Sequence, residues 1–223
     1  MTNPNKYYTI VQGQPLERPY PSVTTITNVL SKPALYGYYA KWGAVEAKRL
    51  SEEAMTIGQE LHHQIRNYFT NTQPVHTKLQ NLRPVMNAFE NFKRFVDEYR
   101  PSPLLIEHEV VSHEHQYAGT LDATVLIGDR IILIDWKTSS GIYSEYLLQV
   151  EAYYRALSSE RTFTVESAVQ VPDELWIVRL DKEKPIQYTN NTKDVAKLTP
   201  DSPRFQAFLG LLATFNWLEK GAA

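Results

Sequence analysis

The stretch "GTLDATVLIGDRIILIDWKTSS", residues 119–140, reads as two apolar strands joined by Gly128-Asp129. A two-residue loop with Gly at its first position suits a primed hairpin turn. In that register Ile127 pairs with Arg130, Val125 with Ile132 and Ala123 with Ile134, so Asp122 falls opposite Asp135. Directly opposed residues have Cβ atoms roughly 5 Å apart, and like charges so placed are destabilising. Either one carboxyl keeps its proton or a cation sits between them. Side chains alternate along a strand, which puts Lys137 on the face of Asp135 and Leu121, Ala123, Val125, Ile132, Ile134 and Trp136 on the other. The expectation is one wholly apolar, buried face and a second face with an acidic pair and an ammonium beside it.

Around this hairpin lies a chain of ordinary globular composition, 223 residues with 43% hydrophobic and 22% charged. That length suits one sizeable α/β domain. No apolar run has membrane-spanning length, and "MTNPNKYYTIVQGQPLERPYPS" lacks the basic-then-apolar design of a secretory signal, which points to an intracellular, cytoplasmic protein. With no cysteine, disulfides, thiolate zinc sites, iron–sulfur clusters and cysteine nucleophiles are excluded. Any metal must be held by oxygen and imidazole. A formal charge of −2 argues against coating nucleic acid by bulk charge, while leaving room for a local basic channel.

Upstream, the first 20 residues suggest an irregular arm or short hairpin, and "PSVTTITNVL" a strand or turn entering a short helix. "YGYYAKWGAVEAKRL" (36–50) and "SEEAMTIGQELHHQIRNYFTN" have helical spacing. A further helix from about Thr77 to Arg100 places Leu82, Val85, Met86, Phe89, Phe92, Val96 and Tyr99 on one stripe. After "RPSP" come "LLIEHEVVSH", the hairpin, a helix "YSEYLLQVEAYYRALSS", strands "ELWIVRLD" and "KPIQYTN", and a terminal helix "SPRFQAFLGLLATFNWLEK". The order predicts an α/β sandwich around a mixed sheet, with a helical part at about 21–100, an α/β core at about 104–190 and a C-terminal helix at about 201–219.

Two carboxylates and a lysine on one sheet edge suit a hard divalent cation such as Mg²⁺ or Mn²⁺, which takes oxygen ligands and retains waters. Such an ion polarises a phosphoryl oxygen and supplies hydroxide, and an adjacent ammonium stabilises developing charge. A D-x-K alone is more often a salt bridge at a strand end. The second aspartate opposite it is what an ion pair would not require.

"GTLD", then "DWK", then "QVEAY" in this order resemble the PD-(D/E)XK nuclease superfamily, and within it the RecB-like exonucleases. With "PSVTTI" the run is most similar to the mitochondrial genome maintenance exonuclease group and its phage and bacterial relatives. The match is densest over about Glu107 to Leu157. The resemblance implies a restriction-endonuclease-like core, a central mixed β-sheet flanked by helices with a helical N-terminal part. It also implies that Asp122 and Asp135 are metal ligands together with the Trp136 backbone carbonyl, and that Lys137 is the catalytic lysine. The family's G-x-x-x-H pattern falls on Gly58 and His62, so His62 would complete the metal shell, while His63 points about a quarter-turn away on a helix. Without that pattern either histidine reads as a surface or packed imidazole.

Gln149 and Tyr153 sit at i and i+4 and share a helix face beside the apolar stripe of Leu147, Val150, Tyr154 and Leu157. They resemble the family's Q-x-x-x-Y motif, which supports the lysine and contacts substrate; an amphipathic helix with a half-buried Tyr is the plainer alternative. Glu109 matches a glutamate the family often has near the site, for a second metal or for activating water, or is an edge-strand charge. Ser22, Thr24 and Thr25 could hold phosphate or cap a helix. His108, His113 and His115 read as solvated loop residues. "YGYYAKW", with Lys32, Lys41, Lys48 and Arg49, could stack bases as single-strand binders do, although Tyr36, Tyr39 and Trp42 read mostly as core.

The functional expectation is a metal-dependent DNA exonuclease acting on free ends of single strands, in replication, recombination or repair; the single-strand preference comes from the resemblance. A structure-directed or flap endonuclease of the same fold is one alternative, and a binding module that lost turnover is another, disfavoured because Asp122, Asp135 and Lys137 are all present. No G-x-x-x-x-G-K-[ST] loop occurs, so unwinding would fall to a separate helicase or to other replication and recombination proteins.

Overall fold

The computed structural model describes residues 7–30, 33–72, 79, 81–160, 171–188 and 192–221, side chains 33–35 and 160 excepted. In chain order its elements are β1 (Tyr7–Val11), β2 (Gln14–Pro21), α1 (Val23–Thr27), α2 (Pro33–Thr70), α3 (Arg83–Tyr99), β3 (Ser102–Ser112), β4 (Tyr117–Ile127), β5 (Arg130–Lys137), α4 (Ser144–Glu160), β6 (Glu174–Arg179), β7 (Val195–Leu198) and α5 (Ser202–Gly221). The five strands β3-β4-β5-β6-β7 form one mixed sheet in that order. Only β5 and β6 run parallel, joined across α4; the other neighbours are antiparallel. This is the mixed sheet flanked by helices that the order of elements predicts, consistent with a restriction-endonuclease-like core.

The β4–β5 hairpin takes the expected register, with Ile127 opposite Arg130 and Ala123 opposite Ile134. The expected division into an apolar and a polar face does not occur. Ile132, Ile134 and Trp136 of β5 pack with Leu61, Phe92 and Phe95 of α2 and α3. The intervening Leu133, with Leu175 and Ile177 of β6, packs under α1, α4 and α5. Both faces of the sheet are therefore buried, as a sheet bearing helices on each side requires. Asp135 and Lys137 continue the apolar row of Leu133 at its end rather than forming a polar face.

The 38 residues of α2 are two helical segments meeting at Gly43, whose φ of +72° and ψ of 162° are non-helical. Glycine tolerates that left-handed φ without the Cβ clash other residues meet. The next helix begins at Arg83, with Pro84 accommodated in its first turn, where no backbone donor is lost; Thr77, where the sequence places its start, lies outside the described residues. It ends where Arg100 turns left-handed ahead of Pro101. Its buried face is Val85, Ala88, Asn91, Phe92 and Phe95, rotated from the expected stripe, so that Leu82 and Met86 are exposed.

"KPIQYTN" is not a strand over residues 184–188, and its last two residues lie outside the described ones. The segment is pinned instead by Asn91, which is buried in α3. The Asn91 amide donates to the carbonyls of Asp181 at 2.7 Å and Lys184 at 2.8 Å, and its oxygen accepts from the Ile186 N–H at 2.7 Å. Ile186 and Tyr188 then bury themselves in the α2–α3 layer. The strand partner of β6 is β7, and the amino-terminal residues form the hairpin β1–β2. No helix among the described residues is long and apolar enough to cross a membrane.

Asn91→Ala would leave the buried Ile186 N–H and the half-buried Asp181 and exposed Lys184 carbonyls without this partner. The expected cost is about 3 kcal/mol at roughly 1 kcal/mol per bond, read as a lower denaturation midpoint at an unchanged m-value.

Candidate active site

The site is built where strand alternation fails. On β3, Ile106 packs with the α2–α3 layer and Val110 with the α4–α5 layer; on β4, Ala123 belongs to the first and Leu121 to the second. Residues two or four apart share a face in a regular strand, so the faces exchange between these positions. The exchange coincides with Glu107, whose φ is +49°. Pairing is intact on either side, Ile106 with Ala123 and His108 with Leu121, which leaves Glu107 beside Asp122.

Both carboxylates reach the helix that carries His62. His62 Nδ1 lies 3.4 Å from an Asp122 oxygen and 3.5 Å from a Glu107 oxygen. One donor atom from each of the three falls within 4.8 Å of the others. Burial works against a charged imidazole, but the negative charges of Asp122 and Glu107 prevail, and His62 is pushed up to about 9. Gly58, one turn earlier on α2, lies against Thr138 just past Lys137, so the helix approaches the end of β5 at the point that delivers His62.

Opposite, the β4–β5 ladder stops at Ala123 and Ile134. The next N–H, that of Trp136, donates to Asp122 Oδ2 at 2.7 Å. The Trp136 ring is locked edge-on against Phe92 and Phe95, with centroids 5.5 and 5.2 Å apart. Asp135 is 1% exposed. Lys137 Nζ donates to Asp135 Oδ1 at 3.0 Å and lies 2.8 Å from Oδ2, which makes no hydrogen bond. Burial raises the Asp135 carboxyl; Lys137 opposes the rise and Asp122 adds to it, leaving it at about 6. Burial also raises Asp122, against the pull of His62 and Lys137. Lys137 is held charged by Asp135 and Asp122 despite its own desolvation. The ammonium thus pairs with Asp135 while the charge of Asp122 also acts on it, the second of the two arrangements that opposed aspartates allow.

One imidazole nitrogen and two carboxylates within 4.8 Å of one another, with the buried Asp135 carboxylate as a third, make a donor set that suits a hard divalent cation. Asp135 falls outside the 4.8 Å group formed by His62, Glu107 and Asp122.

The remaining expected residues divide. The Gln149 amide donates to the Tyr153 hydroxyl at 2.8 Å and to Thr24 Oγ1 at 3.3 Å, and none of its described hydrogen bonds goes to Lys137. Tyr153 is buried, and burial with the charge of Asp135 raises its phenol so that it stays neutral. A Cβ on Gly119 would come within 2.5 Å of its ring, which is why the strand has glycine there. Ser22 caps α1, its hydroxyl accepting from the Thr25 N–H at 3.1 Å and donating to Thr25 Oγ1 at 2.8 Å. Those two hydroxyls serve the cap, while Thr24 is exposed and tied to Gln149.

Glu109 is not in the cluster. It accepts from the Gln12 N–H at 2.6 Å at the tip of the β1–β2 hairpin. The glutamate that enters is Glu107, which sequence reasoning missed. Its signal lies in the β3–β4 register, set by the turn between Ser112 and Tyr117, and that turn has no dipeptide marker to count from. His63 is exposed. His108 lies inside β3 rather than in a loop, and His113 and His115 pack edge-on to Tyr20 and Phe205. Tyr36, Tyr39 and Trp42, read as core, are exposed at 73%, 46% and 43%. They lie on the segment of α2 before Gly43, where Lys41 Nζ sits 4.7 Å from the Trp42 ring. Arg49 is engaged by Glu46 and Glu53, and Lys48 by Glu52; Lys32 lies outside the described residues.

No family model matches the chain and no curated protein matches it. Among solved structures, an alkaline exonuclease from Laribacter hongkongensis aligns over 91% of this chain and 93% of its own, at 15% identity and a TM-score of 0.41. Its complex with dAMP aligns over the same shares at 14% identity and a TM-score of 0.39. Both likenesses are distant.

Two measurements check this geometry. In the metal-free protein the His62 imidazole should titrate near 9 when followed by NMR, and in Glu107→Gln/Asp122→Asn it should fall below the ordinary value as burial prevails. Because its folded-state value is raised, His62 contributes stability that is full below about 6.5 and lost as pH rises through about 9. Gly119→Ala, which overpacks Tyr153, lowers stability by about 1–3 kcal/mol, measured by denaturant melts.

Proposed function

We propose that the chain is a metal-dependent deoxyribonuclease of the PD-(D/E)XK type, degrading DNA from free ends with a preference for single strands. The observation that carries this reading is the convergence of His62, Glu107 and Asp122 beside the buried Asp135–Lys137 pair. His62, Asp122 and Asp135, with the Trp136 main-chain carbonyl, would hold Mg²⁺ or Mn²⁺, and Glu107 takes the place first expected of Glu109. Bound there, the cation would polarise a phosphoryl oxygen and lower the pKa of a bound water.

The chain's own residues supply the rest. Lys137 is charged and fixed against Asp135, so it acts as a cation that meets charge developing on the phosphoryl group, not as a base. Asp122 is aimed by the Trp136 N–H, which leaves its other oxygen directed at His62. Gln149 joins Thr24 of α1 to Tyr153 of α4 and so holds the wall of the site together. The single-strand preference is supported by Tyr36, Tyr39 and Trp42, exposed in sequence with Lys41, since unpaired bases stack on aromatic faces. DNA ends in replication, recombination or repair are the substrates this chemistry suits, with unwinding left to other proteins.

The test is hydrolysis of single-stranded DNA labelled at either end, and of a circular strand, in Mg²⁺, Mn²⁺ or EDTA. Linear strands should be lost only with metal, the circle spared, and Asp122→Asn and Lys137→Ala should each slow the reaction by about 10² or more. A cut circle would make the enzyme an endonuclease. No cleavage in any metal, with DNA still bound, would make it a binding module. Since a cation must displace the His62 proton, Mn²⁺ affinity should rise about tenfold per pH unit between roughly 7 and 9, measured by calorimetry.

A further inference from the structure

The residue of α4 that reaches Lys137 is Tyr146. Its ring centroid lies 4.9 Å from Lys137 Nζ, within the range of a cation–π contact. The motif in the sequence points to Gln149 for this task, but Gln149 gives its amide to Tyr153 and Thr24. Tyr146 is itself fixed in the first turn of the helix. Its N–H donates to the Tyr143 carbonyl at 3.0 Å, and its ring meets the Tyr143 ring edge-on at 5.6 Å. The Ser139 hydroxyl, in the loop after Lys137, lies beside its phenol and donates to the Gly141 carbonyl at 2.7 Å. Tyr143 thus braces the ring that covers the ammonium.

A lysine head group on a flexible four-carbon stem has several rotamers open to it, and one carboxylate fixes its direction on one side only. We propose that Tyr146 is a positioning residue for Lys137, its ring face closing the side opposite Asp135 and holding the ammonium next to Asp122. The working group is the ring, not the hydroxyl. This rests on the reading of Lys137 as the cation that meets the phosphoryl group, and the contact itself can be measured apart from turnover.

Full-length protein carrying lysine labelled with ¹³C at Cε provides the direct readout, with the Lys137 signal assigned by its absence in Lys137→Arg. A ring face shields what lies over it. The Lys137 ε-protons should therefore be shifted upfield in the wild type and in Tyr146→Phe, and should return to the ordinary lysine position in Tyr146→Leu. In DNA hydrolysis Tyr146→Leu should lose about tenfold in kcat at unchanged KM, with Tyr146→Phe within about threefold of wild type. An unshifted Lys137 signal in the wild type would overturn the proposal, as would Tyr146→Phe falling as far as Tyr146→Leu. So would a Tyr146→Leu variant that keeps both the shift and kcat. A wild type that shows the shift yet cuts no DNA removes the nuclease reading and leaves the placement of Lys137 by Tyr146 supported.

Discussion

A carboxylate buried at the end of a strand is the constraint on which the other arrangements depend. Asp135 is withdrawn from water by layers on both faces of the sheet, and an ionised group so placed is costly unless paired. Lys137 supplies the pairing from the same strand. That brings a second buried charge, which Asp122 and the ring of Tyr146 then accommodate. The surplus of carboxylate over ammonium draws His62 towards its protonated form. Each charged group is where it is because a neighbour would otherwise be unpaired.

The apolar residues hold this charge cluster in place. Trp136 between Asp135 and Lys137 is wedged into Phe92 and Phe95, so the strand cannot rotate without opening the core. The same α2–α3 layer carries Leu61 beside His62. The aspartates come from a hairpin and the histidine from a helix about sixty residues earlier, and the packing of that layer is what brings them together.

Much of this was legible in the sequence because it depends on short-range pattern. The hairpin register follows from the Gly128-Asp129 turn, and Asp122, Asp135 and Lys137 from their offsets to it. The helix α4 and the terminal helix follow from spacing. What failed was long-range. Alternation put Leu121 with Ala123, and only the left-handed Glu107 on the neighbouring strand separates them. Glu109 was expected from the family resemblance, and the β3–β4 register brings Glu107 beside Asp122 instead. "KPIQYTN" has strand-like composition, yet Asn91, some ninety residues away, takes its backbone groups. Tyr36, Tyr39 and Trp42 have the spacing of a core stripe, and nothing local records that they are exposed.

The exchange of faces at Glu107 has a further consequence for how this chain can vary. Among the described residues β3 is an edge strand paired with β4, and the turn His113–Gln116 sets how the two are threaded. Lengthening or shortening that turn by one residue would slide Ile106 or His108 into the place of Glu107. The sheet could still close over an apolar core while the donor set lost a member. The length of a surface turn, ordinarily the freest dimension of a protein to drift, is here tied to the composition of the site.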